Sequence, residues 1–575
     1  MMQPNNVIGE FHYQQYPVRL PPLEGGRETR RHQVVIVGGG PVGLATALAL
    51  ARQGVASLVL ENDTQVCTGS RAACISRRSL EILDKLGVVA AFVDKGLAWT
   101  RGRSFYHGEQ VMQFDMLQDD NQQFPAMINL QQYYIEQFLL DEVMRCGDLI
   151  EIRWGSEVQR IVPSDEGVKV SLQAAGVNYQ LEADWLLACD GGRSRMREQL
   201  DLHLQGRVHK GRFAIIDIEL ESETPAERRV WFETPLRPGP MWMHRQPDNI
   251  WRIDYLLEDH VSDEEGLKPE NVLPVVEGFL KMVGETGQWR PIWISMYNAK
   301  ALSLERYRHG RVLFVGDAAH VVPIFGVRGL NGGLDDAYNL GWKLAYVLQG
   351  RAPDRLLDSY SHERHGAWRD NADQASRSAE FMCPATPGGT TLRNAVLSLA
   401  ARHPQFSSLI NPRQTHSIRY TDSPLNTLTT DDDLPGPAVG SVLDEYPLLQ
   451  DGHPQALTGL LDARSFTLLH FPAQTEPDTT ASPARELQTR YPLRIVTVGL
   501  PGRPRHGDAG VIEDPHGRLH VAYGTAQDAL YLVRPDGHVC WRWGQPQPAT
   551  AQQIEQALQR ACAHLSGDKE TTDEN

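Results

Sequence analysis

The sequence predicts an α/β protein: a dinucleotide-binding domain on a parallel sheet, interrupted by an antiparallel sheet and followed by a small C-terminal α/β unit. Three observations carry that prediction. A glycine-rich loop joins an apolar strand to a helix near residue 40. Between Gly211 and Met296 the apolar periodicity turns to two. Strands and a helix reappear after Ser465.

Residues 1–30 are polar with scattered prolines and read as an extension. The first part of the nucleotide-binding domain follows at 31–205. His32 to Val37 reads as a buried parallel strand, Pro41 to Arg52 as a helix with proline in its first turn, and Ala56 to Leu60 as a second strand. Gln131 to Arg145 is predicted helical. Val158 to Pro163 and Gly167 to Leu172 read as strands, and Asp184 to Asp190 as a buried strand ending in an acid. The inserted sheet is placed at 206–300, with strands at Phe213 to Leu220, Arg229 to Glu233, Met241 to Arg245 and Trp251 to Leu257. The turn Gln246-Pro247-Asp248-Asn249 joins the last two. The nucleotide-binding domain resumes at 301–383. Residues 384–437, rich in Pro, Thr, Ser and Asp, read as an irregular connection. The C-terminal unit spans 438–566, with strands at Phe466 to His470, Arg494 to Val498, Ala529 to Arg534 and Val539 to Trp543. The helix Ala551 to Leu565 closes it, and 567–575 read as a disordered tail.

Composition narrows the function. The 575 residues are 41% hydrophobic and 22% charged, ordinary for a globular enzyme. With 56 basic and 72 acidic side chains the formal net charge is −16, a poor match to nucleic acid or an anionic membrane. The seven cysteines are widely spaced and form no CxxC pair, so neither a disulfide framework nor a metal site is expected. No signal-like apolar stretch opens the chain, and the most apolar run, Val42 to Ala51, is too short to span a bilayer. A cytoplasmic location is the expectation.

The chemistry-bearing motifs sit at strand ends. Gly38-Gly39-Gly40-Pro41-Val42-Gly43 is GxGxxG between a strand and a helix. Gly38 allows the tight turn, Gly40 lets a pyrophosphate approach the backbone, and Gly43 permits close helix–strand packing. The helix N-terminus favours phosphate charge by about 0.3–1 kcal/mol. Glu61 ends the next strand, at roughly the 20-residue spacing where an acid takes the adenosine ribose hydroxyls. A second motif runs from Cys189-Asp190-Gly191-Gly192 to Ser194 and Arg197. Asp190 can orient groups beside the pyrophosphate, Arg197 supplies a cation, and Ser194 can cap a helix. The third is Val312 to Gly350. An apolar strand runs into Gly316-Asp317, a loop with Gly326 and Gly329 follows, and a long helix begins near Asn331. Positions 334, 337, 341, 344 and 348 give that helix one apolar face.

These motifs, in this order, resemble the group A flavoprotein aromatic hydroxylases, the family of p-hydroxybenzoate hydroxylase and phenol hydroxylase. The similarity is nearest to the 3-(3-hydroxyphenyl)propionate hydroxylase-like branch with a C-terminal thioredoxin-like domain. It implies an FAD-binding Rossmann-like domain of GR2 type, an inserted substrate sheet, and FAD held non-covalently. It also implies NADH or NADPH and O2 as co-substrates, and a small phenol-like aromatic substrate hydroxylated through a flavin C4a-hydroperoxide. The physiological role would be aromatic catabolism. No second Rossmann fingerprint occurs, so the nicotinamide is expected to bind transiently. On the family pattern, Asp317 holds the ribityl chain, and Gly316, Gly329, Leu330 and Asn331 belong to the flavin site, with helix N–H groups at the flavin N1–C2=O edge. Arg71, in Ser70-Arg71-Ala72, and Gln132, four residues before Glu136, match flavin-contacting segments. His320 is expected to be structural, and no acid–base triad is expected.

Departures from the family pattern fall at Pro323-Ile324, where many relatives carry two prolines, and at Gly326-Val327-Arg328-Gly329, in place of a GGQG-like loop. Pro323 and Arg328 are therefore expected at the flavin edge, with Arg328 bringing a cation there. On the inserted sheet, Trp242 and His244 share one face, while Trp251, Ile253 and Tyr255 share a face of the next strand. Trp242, His244 and Tyr255 are the candidate substrate contacts. The C-terminal unit, without CxxC, is expected to serve packing or subunit contact, as in a homodimer. Two other readings stay open: a tailoring oxygenase acting on a polycyclic or heteroaromatic compound, and a non-catalytic flavin-bound aromatic sensor.

Overall fold

The computed structural model describes residues 7–116, 121–410, 414–428, 434–472, 482–500, 502, 505–523, 529–544 and 549–564. Its framework is a parallel sheet with the spatial order Ile150–Arg153, Ser57–Leu60, Arg27–Val37, Val177–Ala188 and Val312–Phe314. An antiparallel hairpin, Ser156–Ser164 with Gly167–Ala174, extends the flank of Val177–Ala188. The central strands are apolar and fully buried over Val34–Ile36, Leu58–Val59 and Leu186–Leu187, as strands covered on both faces must be. The helices Pro41–Arg52, Gln132–Arg145 and Arg328–Leu348 pack around this sheet in one core.

The inserted sheet has eight strands. Their order is His320–Val321, Trp289–Ser303, Gln205–Leu220, Ile250–Leu256, Met241–Arg245, Arg228–Trp231, Arg101–Tyr106 and Glu109–Asp115. The helix Pro269–Val283 covers one of its faces with Val272, Val276, Phe279 and Leu280. Two of the strands come from 101–115, a stretch whose mixed patterning carries no clear strand signal, so the sheet draws on more of the chain than 206–300.

The N-terminal and connecting segments depart from expectation. Residues 7–30 do not trail away. Phe11 and Tyr13 are buried against Tyr133 and Tyr134, and Leu23–Glu24 pairs with the start of Arg27–Val37. Isolated aromatics in a polar stretch make no periodic pattern, so their burial is decided by the partner helix. The stretch at 384–437, read as irregular, contains the helix Pro387–Arg402, capped by Thr386 and buried through Val396, Leu397 and Ala400. Its composition is that of a loop; the apolar face only registers once a partner surface exists.

The C-terminal unit has a four-stranded sheet with the order Leu493–Thr497, Phe466–Phe471, Ala529–Val533 and Val539–Trp543, backed by the helix Ala551–Ala561, and a second of the order His453–Ala456, Pro447–Gln450, Gly510–Glu513 and Arg505–Gly507. It docks on the helix Arg328–Leu348, where the rings of Trp342 and Tyr346 meet Phe466. The tail at 567–575 lies outside the described residues. No described helix is long and apolar enough to cross a membrane.

Candidate active site

Four loops leave the carboxyl ends of neighbouring parallel strands, where open α/β sheets bind ligands. In spatial order they carry Glu61, the Gly38–Gly43 turn, Asp190 and Asp317. The turn is built for glycine. Gly38 has φ +107°, and a Cβ there would lie 2.4 Å from the Cys189 carbonyl oxygen; one at Gly43 would lie 2.0 Å from the Gly38 carbonyl oxygen. A Cβ at Gly40 or Gly329, by contrast, would meet nothing within 4 Å, so both positions border open space. Pro41 and Val42 begin the first helix on that rim, at an N-terminus with no side-chain cap.

The acids differ in how far their bonding is complete. Glu61 accepts the N–H groups of Gly39 (2.5 Å) and Asp63 (2.9 Å), which fixes it beside the glycine turn, and burial pushes its carboxyl up. Asp190 accepts the Met196 N–H at 3.1 Å through Oδ2, while its Oδ1 is buried without a partner. Ser194 caps the short helix Arg195–Gln199, and Arg197 ties the Gly192 carbonyl to that of Ala318, locking the second motif to the third. Asp317 stands on the 3-10 turn Gly316–Ala318. Surrounding protein pushes its carboxyl up, against the pull of His320 and Arg71, yet the side chain is exposed and makes no hydrogen bond to any described residue. A carboxylate that is enclosed by protein and still accessible faces a groove.

Arg71 lies near that groove on a loop held from behind. Gln132 Oε1 accepts the N–H groups of Arg71 (3.3 Å) and Ala72 (3.2 Å), and its Nε2 donates to Glu136 at 2.9 Å. Gln132 thus positions the loop. Arg252 donates to the Ser70 and Arg71 carbonyls from the inserted sheet, so the loop is clamped between the two sheets.

His320, Asp336 and Arg364 form a closed unit beneath Gly316. Asp336 accepts from His320 (2.7 Å), Arg364 (2.5 Å) and the Gly316 N–H (3.0 Å). Burial opposes its ionisation, but His320 and Arg364 outweigh it and bring the carboxyl down to about 2. His320 is therefore committed to a buried pair.

Arg328, expected at the flavin edge, and Asn331, expected in the flavin site, have their side chains bonded elsewhere. Arg328 is buried and donates to Asn371 Oδ1 (2.7 Å) and the Gln414 carbonyl (3.2 Å), so its guanidinium serves the neighbouring helix Leu356–Met382 instead of the groove. The Asn331 side chain accepts from Ser76 and Ser79 and donates to the carbonyls of Cys74 and Val327, which leaves its amide fully used as a staple. The helix starts at Arg328, three residues earlier than its apolar periodicity suggests, and its N-cap Val327 has φ +55°, a strained value for a β-branched residue. Gly329 and Leu330 occupy its first turn, both partly exposed. Pro323 is buried, and Ile324 packs with Phe325 and Trp242.

Phe325 and Trp242 line a cavity that opens to solvent. Phe114, Phe232, Trp242, Phe325 and Phe381 give it aromatic walls, with Arg103 and Arg228 among them. The mainly apolar lining with a few polar groups matches that of small-molecule sites. Trp242 and His244 lie on the cavity side of their strand. Tyr255 does not. It pairs with Met241 on the opposite face, packs beneath the helix Pro269–Val283, and is covered by the Arg237 guanidinium 4.1 Å from its ring. Alternation identifies which residues share a face, but only the position of that helix decides which face looks into the cavity. Arg103, Arg228, Asp254 and the phenylalanines of the walls went unmarked at the level of sequence, because no motif or spacing connects them.

The chain ends of the parallel sheet fit a dinucleotide. The glycine turn is open where a pyrophosphate sits, a buried acid oxygen at Asp190 lacks a partner, and Asp317 offers a carboxylate to a groove. Fold and site together define an FAD-binding protein of the doubly wound α/β class. Residues 31–375 match the FAD binding domain family, and residues 436–564 match the aromatic-ring hydroxylase C-terminal family. The chain belongs to the group A flavoprotein aromatic hydroxylases, and FAD is its cofactor. It is similar to the 6-methylpretetramide 4-monooxygenase of Streptomyces rimosus, with 29% identity over 88% of this chain and 90% of the relative. It is also similar to the 3-(3-hydroxy-phenyl)propionate/3-hydroxycinnamic acid hydroxylase of Escherichia coli O157:H7, with 25% identity over 88% and 91%. Among solved structures, the flavin-dependent monooxygenase PieE, in complex with FAD and substrate, shares the fold. Its TM-score is 0.78 at 22% identity, covering 93% of this chain and 100% of that one.

Proposed function

We propose that the protein is a single-component monooxygenase that uses NAD(P)H and O2 to hydroxylate an electron-rich, phenol-like aromatic ring. The observation that carries this is the aromatic-walled cavity beside the Phe325–Gly326 loop, directly before the helix whose first turn borders the flavin groove. FAD, when bound, supplies the redox and oxygen-activating chemistry. The chain's own residues bind and orient. Gly38, Gly40 and Gly43, with the N-terminus at Pro41 and Val42, would take the pyrophosphate, and Glu61 the adenosine ribose. Asp190 would steady groups beside the pyrophosphate. Asp317 would accept from the ribityl hydroxyls near Gly316, with Arg71 as a nearby cation. The N–H groups of Gly329 and Leu330 would face the pole of the flavin where negative charge gathers. Phe325, Trp242 and Phe232 would hold the ring and exclude water from the reacting centre.

A second reading concerns the size of the substrate. The aromatic-lined cavity opens to solvent, so a substrate of two or more fused rings is a reading beside a single phenol. The test is a panel of phenols, phenyl acids, naphthols and larger hydroxylated polycycles. It scores NAD(P)H oxidation together with oxygenated product. Acceleration with matching product supports the enzyme. FAD-loaded protein that no aromatic compound accelerates would instead be a ligand-binding sensor.

A further inference from the structure

The cavity side of the inserted sheet holds more buried polar atoms than it satisfies. Strand pairing sets Arg228 opposite His244, His244 opposite Arg252, and Arg252 opposite Asp217. Side-chain alternation puts these four on one face, and Asp254, two residues from Arg252, joins them. Arg252 and Asp217 complete one another through a bidentate pair at 2.8 and 2.9 Å. The others have no such partner. Both ring nitrogens of His244, Oδ1 of Asp254 and Nη1 of Arg228 are buried without a hydrogen bond. No described residue forms an ion pair with Arg228.

Electrostatics leave Arg228 only partly compensated. Burial, reinforced by Arg228 and Arg252, holds His244 well below the ordinary imidazole range, so it is neutral. Burial pushes Asp254 up to about 7, against the pull of Arg252 and Arg228, so at neutral pH it carries only part of a charge. The other arginine on the cavity wall is occupied: Arg103 donates to Glu227 at 3.1 Å. Native proteins satisfy nearly all their buried polar groups, and an unpaired cation at a cavity wall is costly unless a ligand completes it.

We propose that Arg228 determines substrate specificity by accepting an anionic oxygen of the ring substrate into the cavity, with His244 hydrogen-bonding to the same group. The oxygen is that of a carboxylate or of an ionised ring hydroxyl. This rests on the reading of the cavity as the aromatic substrate site. Neutral His244 offers one donor and one acceptor, so it can support the anion through N–H while its other nitrogen receives a neighbouring hydroxyl.

The experiment measures binding to the FAD-loaded protein by perturbation of the flavin spectrum. The probes are one-, two- and three-ring aromatic acids, their methyl esters, and hydroxylated forms of both. Charge-assisted hydrogen bonds predict that at least one anionic probe outbinds its neutral counterpart about tenfold or more. Arg228→Met erases that preference, and Arg228→Lys, a point charge without the fork, restores part of it. An acid lacking the hydroxyl that keeps the preference identifies a carboxylate. An ester that gains affinity as its hydroxyl ionises identifies a phenolate. The proposal fails if no anionic probe outbinds its neutral form, or if Arg228→Met retains the preference at normal FAD content. Anion preference without turnover of any probe would leave Arg228 in place and overturn the monooxygenase reading instead.

Discussion

The two sides of this molecule treat buried charge in opposite ways. Where the C-terminal unit docks on the helix Arg328–Leu348, every described charge is matched. Glu363 takes Lys343 (2.6 Å) and both terminal nitrogens of Arg534 (2.5 and 3.0 Å), and Asp536 takes Arg534, Asn339 and Trp342. Burial works against ionisation of Glu363, and Arg534 and Lys343 outweigh it, so the carboxyl lies well below its usual range. On the cavity face, His244 and Asp254 are buried with unpartnered atoms, half-buried Arg228 has an unpartnered Nη1, and Asp317 in the groove makes no bond to any described residue. The first arrangement is complete in the protein alone. The second is left open for ligands, as proposed above. The difference separates structural charges from functional ones without reference to any motif.

The sharpest way to break the comparison is Glu363→Ala. It strands Lys343 in the interior, leaves Arg534 with Asp536 alone, and should cost about 3–5 kcal/mol, read from the denaturant midpoint. A loss below about 1 kcal/mol would mean that the matched network is not what holds the docked unit. Asp317→Ala makes the converse case. Few protein contacts are lost, so the apoprotein should melt nearly as before, whereas FAD affinity should fall about 10–100-fold in a reconstitution titration. Unchanged flavin retention would remove Asp317 from the site.

The pH dependence should carry opposite signs in the two regions. Asp336 has its carboxyl lowered to about 2, so the stability it contributes is present above its ordinary pKa near 4 and is lost as pH falls from about 4 to 2. Asp254 is raised to about 7, so the folded state holds its proton more tightly, and stability falls as pH rises from about 4 through 7. Between pH 5 and 7 the wild type should therefore lose about 2 kcal/mol relative to Asp254→Asn. Parallel melting curves for the two proteins across that window would show that Asp254 is solvated and belongs with the satisfied charges.

The smallest effect lies at the seam, where Val327 precedes the helix at φ +55°. Glycine relieves a Cβ clash there at some cost in chain entropy, so Val327→Gly should exceed Val327→Ala in stability by about 1 kcal/mol. Equal stabilities would show that the loop relaxes around the residue.

Much of the flavin side was legible because its signals are local. Gly38, Asp190 and Asp317 each lie within three residues of the end of an apolar strand, and a strand end fixes where the next residues point. Arg328 and Asn331 misled for the opposite reason. Both lie within a recognisable segment, but their side chains reach partners far along the chain, at Asn371 and Gln414 for one and at Cys74 to Ser79 for the other. The helix Pro387–Arg402 and the aromatics near residue 11 were hidden by loop-like composition, since burial there depends on surfaces supplied from elsewhere.

The sequence by itself determined the class of cofactor and the layout of its domain, because glycine turns and strand-end acids act over a few residues and need only the local strand to be placed. The tertiary structure alone decided which charges are finished. Arg228, His244, Arg252 and Asp217 come from four strands, and their succession across the sheet is a matter of register, set by packing against the helix Pro269–Val283 on the other face. No pattern along the chain shows that Arg252 receives a carboxylate from that register while Arg228 is left facing the cavity without one.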